Sequence, residues 1–233
     1  MKTAVDLHIH TALSPCADQD MTPNNIVNMA LLKGLDVISI TDHNSCDNVA
    51  AVMKAAEGKI LVLPGIEVQT REDIHLLCYF ESIETLKDFD CELRSHLYKL
   101  DNRPEIFGHQ YIMDHRDRII GERCELLLGA VDWSIDELVS ETRKRNGVVI
   151  PAHVDRPSYS ILSSLGFIPK HLHFKLLEIS HSCVSIPPSV KGFRLIYSSD
   201  AHSLGDILER EMFLELSEVS VHTLICNLKS QNL

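Results

Sequence analysis

Two histidines two residues apart, His8 and His10, lie in the apolar run AVDLHIHT near the start of the chain. On a strand, residues i and i+2 share a face, so the two imidazoles project side by side and can either chelate one metal ion or hydrogen-bond within a core. Further along, other apolar runs also end on metal-capable groups. VISI leads into Thr41, Asp42 and His43, LVLPGI into Glu67, VVIPA into His153, and LIYSS into Asp200, Ala201 and His202. In a β/α barrel all strand C-termini meet at one rim, where catalytic groups sit, so residues distant in sequence converge there. Caps and turns explain aspartate or threonine at strand ends, but repeated histidine less readily. Mixed imidazole and carboxylate donors suit zinc, manganese or iron, whereas magnesium or calcium would call for oxygen alone.

The elements that must position these groups follow from the pattern. Runs rich in β-branched residues alternate with helical segments, the signature of an α/β fold with parallel strands. Strands are expected at Ala4 to Ile9, Asp36 to Ile40, Ile60 to Val68, Ile74 to Phe80, Val148 to Ala152, Leu176 to Ile179, Leu195 to Ser198 and Met212 to Leu216. Thr22 followed by Pro23 is a helix start and Gly34 a stop. Ser134 with Glu137 forms a capping-box pattern, and Gly147 ends that helix just before VVIPAH. The stretch from about Glu81 to Val131 is charge-dense, holds Pro104 and lacks this punctuation, so it reads as a mostly helical insertion in one domain spanning 1–233.

The composition bounds the function. The 233 residues, 45% hydrophobic and 24% charged, can bury a full core without staples. With 22 basic and 33 acidic residues the net charge is -11, the wrong sign for gripping a long nucleic acid. The seven cysteines include no CxxC pair, which points to a reducing cytoplasm rather than a disulfide framework or zinc ribbon. The N-terminus shows no leader pattern and no apolar run is long enough for a membrane span, so a cytoplasmic location without membrane contact is expected.

The signatures DLHIHT, ITDHNS, PGIEV, IPAHVDRP and SSDAHS, in this order and spacing, resemble the successive motifs of the PHP (polymerase and histidinol phosphatase) family of metal-dependent phosphoesterases. The resemblance covers residues 3–80 and about 134–203. It implies a distorted TIM-like barrel of seven β/α units and up to three zinc, manganese or iron ions. Carried over position by position, it implies metal ligands at His8, His10, His43, Glu67 as a bridge between two ions, His75, His153, Asp200 and His202. For a ninth ligand, SPCADQDM offers Cys16, Asp18 and Asp20, of which Asp18 is favoured. Such a set suits hydrolysis of a phosphate ester, which needs a nucleophile at neutral pH and neutralisation of charge on the equatorial and leaving oxygens. Asp42, next to His43, would orient a ligand imidazole or relay a proton.

Substrate phosphate calls for a further donor, and the guanidinium of Arg156, three residues past His153, is the nearest to the rim; its bland reading is an ion pair with a neighbouring carboxylate. The insertion's arginines could form a wall or lid. His171 and His173 have no strand leading into them and read as surface or packing residues; His181 follows a strand and could line the rim. The expected activity is hydrolysis of a small phosphate monoester, a nucleotide or metabolite phosphate, with two or three transition-metal ions. The alternatives are a short-oligonucleotide exonuclease of the same family, a barrel amidohydrolase, and a non-catalytic metal-binding regulatory domain. The amidohydrolase reading lacks a lysine at the comparable strand ends.

Overall fold

The fold is described from a computed structural model covering residues 1–183 and 185–230. In chain order it runs β1 (Lys2–Ile9), α1 (Pro23–Leu32), β2 (Val37–Ile40), α2 (Val49–Ala56), β3 (Leu61–Gln69), β4 (His75–Tyr79) and α3 (Ile83–Ser95). There follow α4 (Pro104–Phe107), β5 (Tyr111–Met113), β6 (Ile119–Glu122), α5 (Ile135–Lys144), β7 (Val148–Pro151), α6 (Ile161–Leu165), β8 (Leu176–Ser180), β9 (Arg194–Ser198), β10 (Phe213–Glu215) and α7 (Val221–Lys229).

Six strands form one curled half-barrel sheet in the order β10-β1-β2-β3-β4-β7, and β8 pairs with β9 alongside it. Two β-α-β units, β1-α1-β2 and β2-α2-β3, are parallel as expected. Thr22 accepts a hydrogen bond from the Asn25 amide to cap α1, and the Ser134–Glu137 capping box starts α5. Alternate strand residues divide between two apolar clusters. Ile38, Val62, Leu76 and Val149 pack with residues of α1, α2, α3 and α5, while Val37, Leu63, Leu77 and Ile150 pack with Leu224, Ile225 and Leu228 of α7. Burial on both faces explains the near-continuous apolar runs in the sequence.

Two expectations are corrected. The strands are not uniformly parallel: β4 runs antiparallel to both β3 and β7, and β10 antiparallel to β1. The link from Gln69 to His75 is a tight turn, with the Thr70 amide donating to Ile74 O and Asp73 at φ 58°, far too short for a crossover helix. The stretch 81–131 is not mostly helical either. It holds α3, the single turn α4 and the β5–β6 hairpin, whose strands are too short and exposed to leave an alternating apolar trace. Among the described residues no helix is long and apolar enough to cross a membrane, and all seven cysteines are free.

Candidate metal centre

The rim of the sheet is stitched by backbone hydrogen bonds that draw strand ends together. His10 N donates to Ala201 O and Ala201 N to His8 O, joining the end of β1 to the segment after β9. Glu67 N donates to Asp42 O and Asn44 N to Glu67 O, joining the ends of β2 and β3, and Val154 N donates to Glu178 O, joining β7 to β8. Gly65 permits this closeness: a Cβ there would stand 2.5 Å from Ser39 Oγ and 3.0 Å from a Thr41 methyl. His153 and Asp200 hold left-handed backbone conformations, φ 29° and 52°, an unfavourable state for a side-chain-bearing residue that turns both into the rim.

The result brings His8, His10, His43, Glu67, His75, His153, Asp200 and His202 into one cluster, the first six buried and Asp200 and His202 half-buried at its edge. Ligand-capable atoms fall into three overlapping groups: His8, His10, Glu67 and Asp200; His43, Glu67 and His75; and His10, His43 and His202. Glu67 is central. Its Oε1 lies 2.9 Å from His75 Nδ1, 3.4 Å from His8 Nε2 and 3.4 Å from His153 Nε2. Its Oε2 lies 2.9 Å from His43 Nδ1 and 3.5 Å from His10 Nε2. Yet both oxygens are fully buried and neither makes a well-directed hydrogen bond.

That arrangement fits metal ions. Ligand atoms sharing one tetrahedral ion at about 2.0–2.1 Å stand roughly 3.3 Å apart. His8 Nε2 lies 3.2 Å from His10 Nε2 and 3.1 Å from Asp200 Oδ1, and His10 Nε2 lies 3.0 Å from the same oxygen. The protons of these imidazoles are engaged on the far side. His8 Nδ1 faces the Glu178 carboxylate at 3.1–3.2 Å. His10 Nδ1 donates to Ser14 Oγ at 2.9 Å, whose hydroxyl in turn donates to Asp42 Oδ1 at 2.8 Å. His202 Nδ1 donates to the Asp200 carbonyl at 2.8 Å. With Nδ1 engaged, the Nε2 atoms of His8 and His10 face each other and carboxylate oxygens, a set that a proton on Nε2 relieves and that a metal ion taking the place of that proton also resolves.

Electrostatics agree. Burial opposes the charge of Glu67, but the imidazoles of His75, His8 and His43 hold it well below the usual carboxylate range. Burial likewise works against a charged His8, and the carboxylates of Asp200, Glu178 and Glu67 outweigh it and raise the imidazole well above its ordinary value. For His10, burial and the neighbouring His202 and His43 push the imidazole well down, toward the neutral form that a ligand needs.

The other sequence candidates divide. Asp42 is fully buried; its Oδ1 accepts from Thr11 N and Ser14 Oγ and its Oδ2 from Thr11 Oγ1, so it acts on the cluster through Ser14 and His10. Arg156 pairs with Asp200 Oδ2, the ion-pair alternative, while its guanidinium still lines a cavity of about 350 Å³ beside the cluster. Of the three candidates for a ninth ligand, Cys16 lines that cavity. All three residues are exposed, but Asp18 reaches the cluster through its amide, which donates to His202 O at 2.8 Å, rather than through its carboxylate. Burial pushes the Cys16 thiol up, and the adjacent His202 and His43 bring it down to about 7. His181 instead pairs with Glu211, and His171 with Asp136 on the surface. Leu128, Gly129 and Tyr159 complete the cavity wall, Tyr159 stacking on His75 at 4.9 Å between ring centroids.

Sequence reasoning missed Glu178. It is buried, accepts from His8 Nδ1, and accepts from the His153 amide at 3.0 Å, so one carboxylate orients two members of the cluster. Its signal was a lone acid in the middle of the apolar strand LLEIS.

Known proteins resemble the chain in sequence and in fold. An uncharacterized protein of Methanocaldococcus jannaschii, MJ0043, is 26% identical over 163 residues, which is 70% of this chain and 18% of that protein. The lesion-specific endonuclease PfuEndoQ of Pyrococcus furiosus has a similar fold, with a TM-score of 0.67 at 18% identity, over 98% of this chain and 56% of that one. A candidate metal-dependent phosphoesterase of Bifidobacterium adolescentis is similar end to end, with a TM-score of 0.61 at 16% identity and coverage of 97% and 96%. The chain thus spans about a fifth of MJ0043 and just over half of the endonuclease chain. The sequence profile of the PHP domain matches residues 6–146, more than half of the 233. The chain belongs to the PHP domain family of metal-dependent phosphoesterases.

Proposed function

We propose that this chain hydrolyses a small phosphate monoester, a nucleotide or metabolite phosphate, at a centre of two or three zinc, manganese or iron ions. The observation that carries the reading is Glu67: a fully buried carboxylate among five imidazoles, with neither oxygen in a directed hydrogen bond. Bound ions of this kind supply a nucleophile near neutral pH and neutralise charge on phosphoryl oxygens. Glu67 would serve two of them, His8, His10 and Asp200 would hold one with it, and His43, His75, His153 and His202 would hold the others. Because His10 Nδ1 is held by Ser14, it offers a single ligand atom and serves one ion. For a ninth ligand, the lining of the cavity by Cys16 favours that thiol over Asp18.

The chain's own groups handle the rest. Arg156, at the edge of the cavity, retains donors beyond the one on Asp200 and presents them to the phosphoryl group. Asp42 and Glu178 fix tautomers: each fastens an Nδ1 proton, directly or through Ser14, and leaves Nε2 bare. The organic part of the ester lies against Tyr159, Gln69 and Leu128. The net charge of -11 disfavours a long polyanion. The test is a phosphatase panel of mononucleotides, nucleoside bisphosphates, histidinol phosphate and short oligonucleotides with metal-reconstituted protein. Turnover of a monoester that is lost on chelation is expected; turnover of the oligonucleotides alone would replace this reading with an exonuclease.

A further inference from the structure

Away from the centre, the first residues of β7 and β8 floor a second cavity of about 370 Å³, within the range of small-molecule sites. His153 follows the other end of β7, so this cavity lies toward the opposite end of the strand from the metal centre. Its floor is apolar, formed by Val148, Val149, Leu176 and Leu228, and four cationic or protonatable side chains surround it: Arg143, His173, Lys175 and Lys229. Among the described residues no aspartate or glutamate lines it, although the chain has 33 acidic residues for 22 basic ones.

The neighbouring cations show how unusual this is. Lys144 pairs with Glu141, and Arg145 with Asp88, Glu92 and Glu141. Arg143, by contrast, donates to the Leu172 carbonyl and Lys229 to the Asn146 carbonyl; among the described residues neither meets a carboxylate. Burial lowers the Arg143 pKa, with no acid to restore it, whereas for Arg145 burial is outweighed by its carboxylates. Cations that line one cavity over an apolar floor and, among the described residues, meet no carboxylate are matched by an anion with an apolar body, and a guanidinium with two ammonium groups suits a dianionic phosphoryl group better than a single carboxylate.

We propose that this cavity binds a small organic phosphate, its phosphoryl group held by Arg143, Lys175 and Lys229 and its body resting on Val149 and Leu228. The site is independent of the chemistry at the metal centre. Hydrogen-exchange mass spectrometry with adenosine 5′-monophosphate as the probe separates the two, because peptides covering 143–149 and 173–176 report this cavity and those covering 8–18 and 153–160 report the centre. Protection of the first pair in the wild-type protein is expected. The double variant R143E/K175E, and separately K229E on another element, should weaken it at least tenfold, on the scale of a lost hydrogen bond between charged groups. The charge-conserving R143K/K175R should retain it. Protection absent from 143–149 and 173–176, unchanged in the charge-reversed variants, or equal with adenosine alone would overturn the proposal. Inorganic phosphate protecting these peptides as strongly as the nucleotide would assign only the phosphoryl half and overturn the organic ligand.

Discussion

Replacing Glu178 by glutamine tests whether the cluster is tuned from outside. The carboxylate accepts from His8 Nδ1 at 3.1 Å and from the His153 amide at 3.0 Å, both buried. Both bonds end on Oε2, and His8 Nδ1 also lies 3.2 Å from Oε1, so a glutamine, with one carbonyl oxygen and no charge, sets its NH₂ either beside His8 Nδ1 or, turned over, against both donors. If that NH₂ meets His8 Nδ1, the imidazole must carry its proton on Nε2, the atom 3.1 Å from Asp200 Oδ1, and so loses its ligand lone pair. A hydrogen bond to a charged group is worth about 1.5–3 kcal/mol, and removing the outer partner of a metal-ligating histidine costs about 10–100-fold in metal affinity or activity. Glu178→Gln is therefore expected to weaken metal binding by about 10–100-fold, or roughly 1.4–2.7 kcal/mol. Competition against a chelator of known affinity measures this, with circular dichroism of the metal-free variant as the fold control. A folded variant with wild-type metal affinity would refute the orienting role.

Three further outcomes are expected. Glu67→Gln should abolish most turnover and lower the metal content while preserving the fold, since an amide bridges two ions poorly; near-normal turnover in a fully metallated variant would show that Glu67 is no bridge. Arg156→Ala should leave metal content unchanged and lower kcat/KM by about 10–100-fold, with lysine rescuing only in part, whereas unchanged kinetics on a verified substrate would leave Arg156 as the partner of Asp200 alone. In metal-free protein, the raised His8 and His43 contribute stability that is fully present below their ordinary value of 6.5 and is lost as pH rises through their folded values. Metal binding needs both imidazoles neutral, so the rise in Tm on adding metal should grow as pH rises from their ordinary value of 6.5 toward their raised folded values; a flat or shrinking increment would contradict the ligand assignment.

Much of this was legible in the sequence because one physical rule wrote it. Strands buried on both faces leave apolar runs, and metal-capable groups close several of these runs, so the eight apolar strands β1–β4 and β7–β10 and the groups His8, His10, His43, Glu67, His153, Asp200 and His202 stand out together. The antiparallel β3–β4 turn was also written there, in a gap too short for a helix, but alternation of strands and helices elsewhere masked it. The β5–β6 hairpin was not legible, since Ile119 and Ile120 are exposed and leave no period-two pattern. Glu178 carries no histidine or strand-end position to mark it, and its role follows only from the register that sets β8 beside β1 and β7. Between Cys16 and Asp18 the choice rests on how the loop after β1 folds, which spacing alone leaves open.

The central claim is that the Glu67 cluster is a multinuclear metal centre, and counting metals tests it most directly. Purified protein, stripped with chelator, reconstituted separately with zinc, manganese and iron and freed of excess ions, is analysed by inductively coupled plasma mass spectrometry. Two or three ions per chain with at least one of these metals, falling in Glu67→Gln, is the expected result. No bound metal in a folded chain under all three conditions would contradict it, and would leave five buried imidazoles around Glu67 as a proton-sharing network instead.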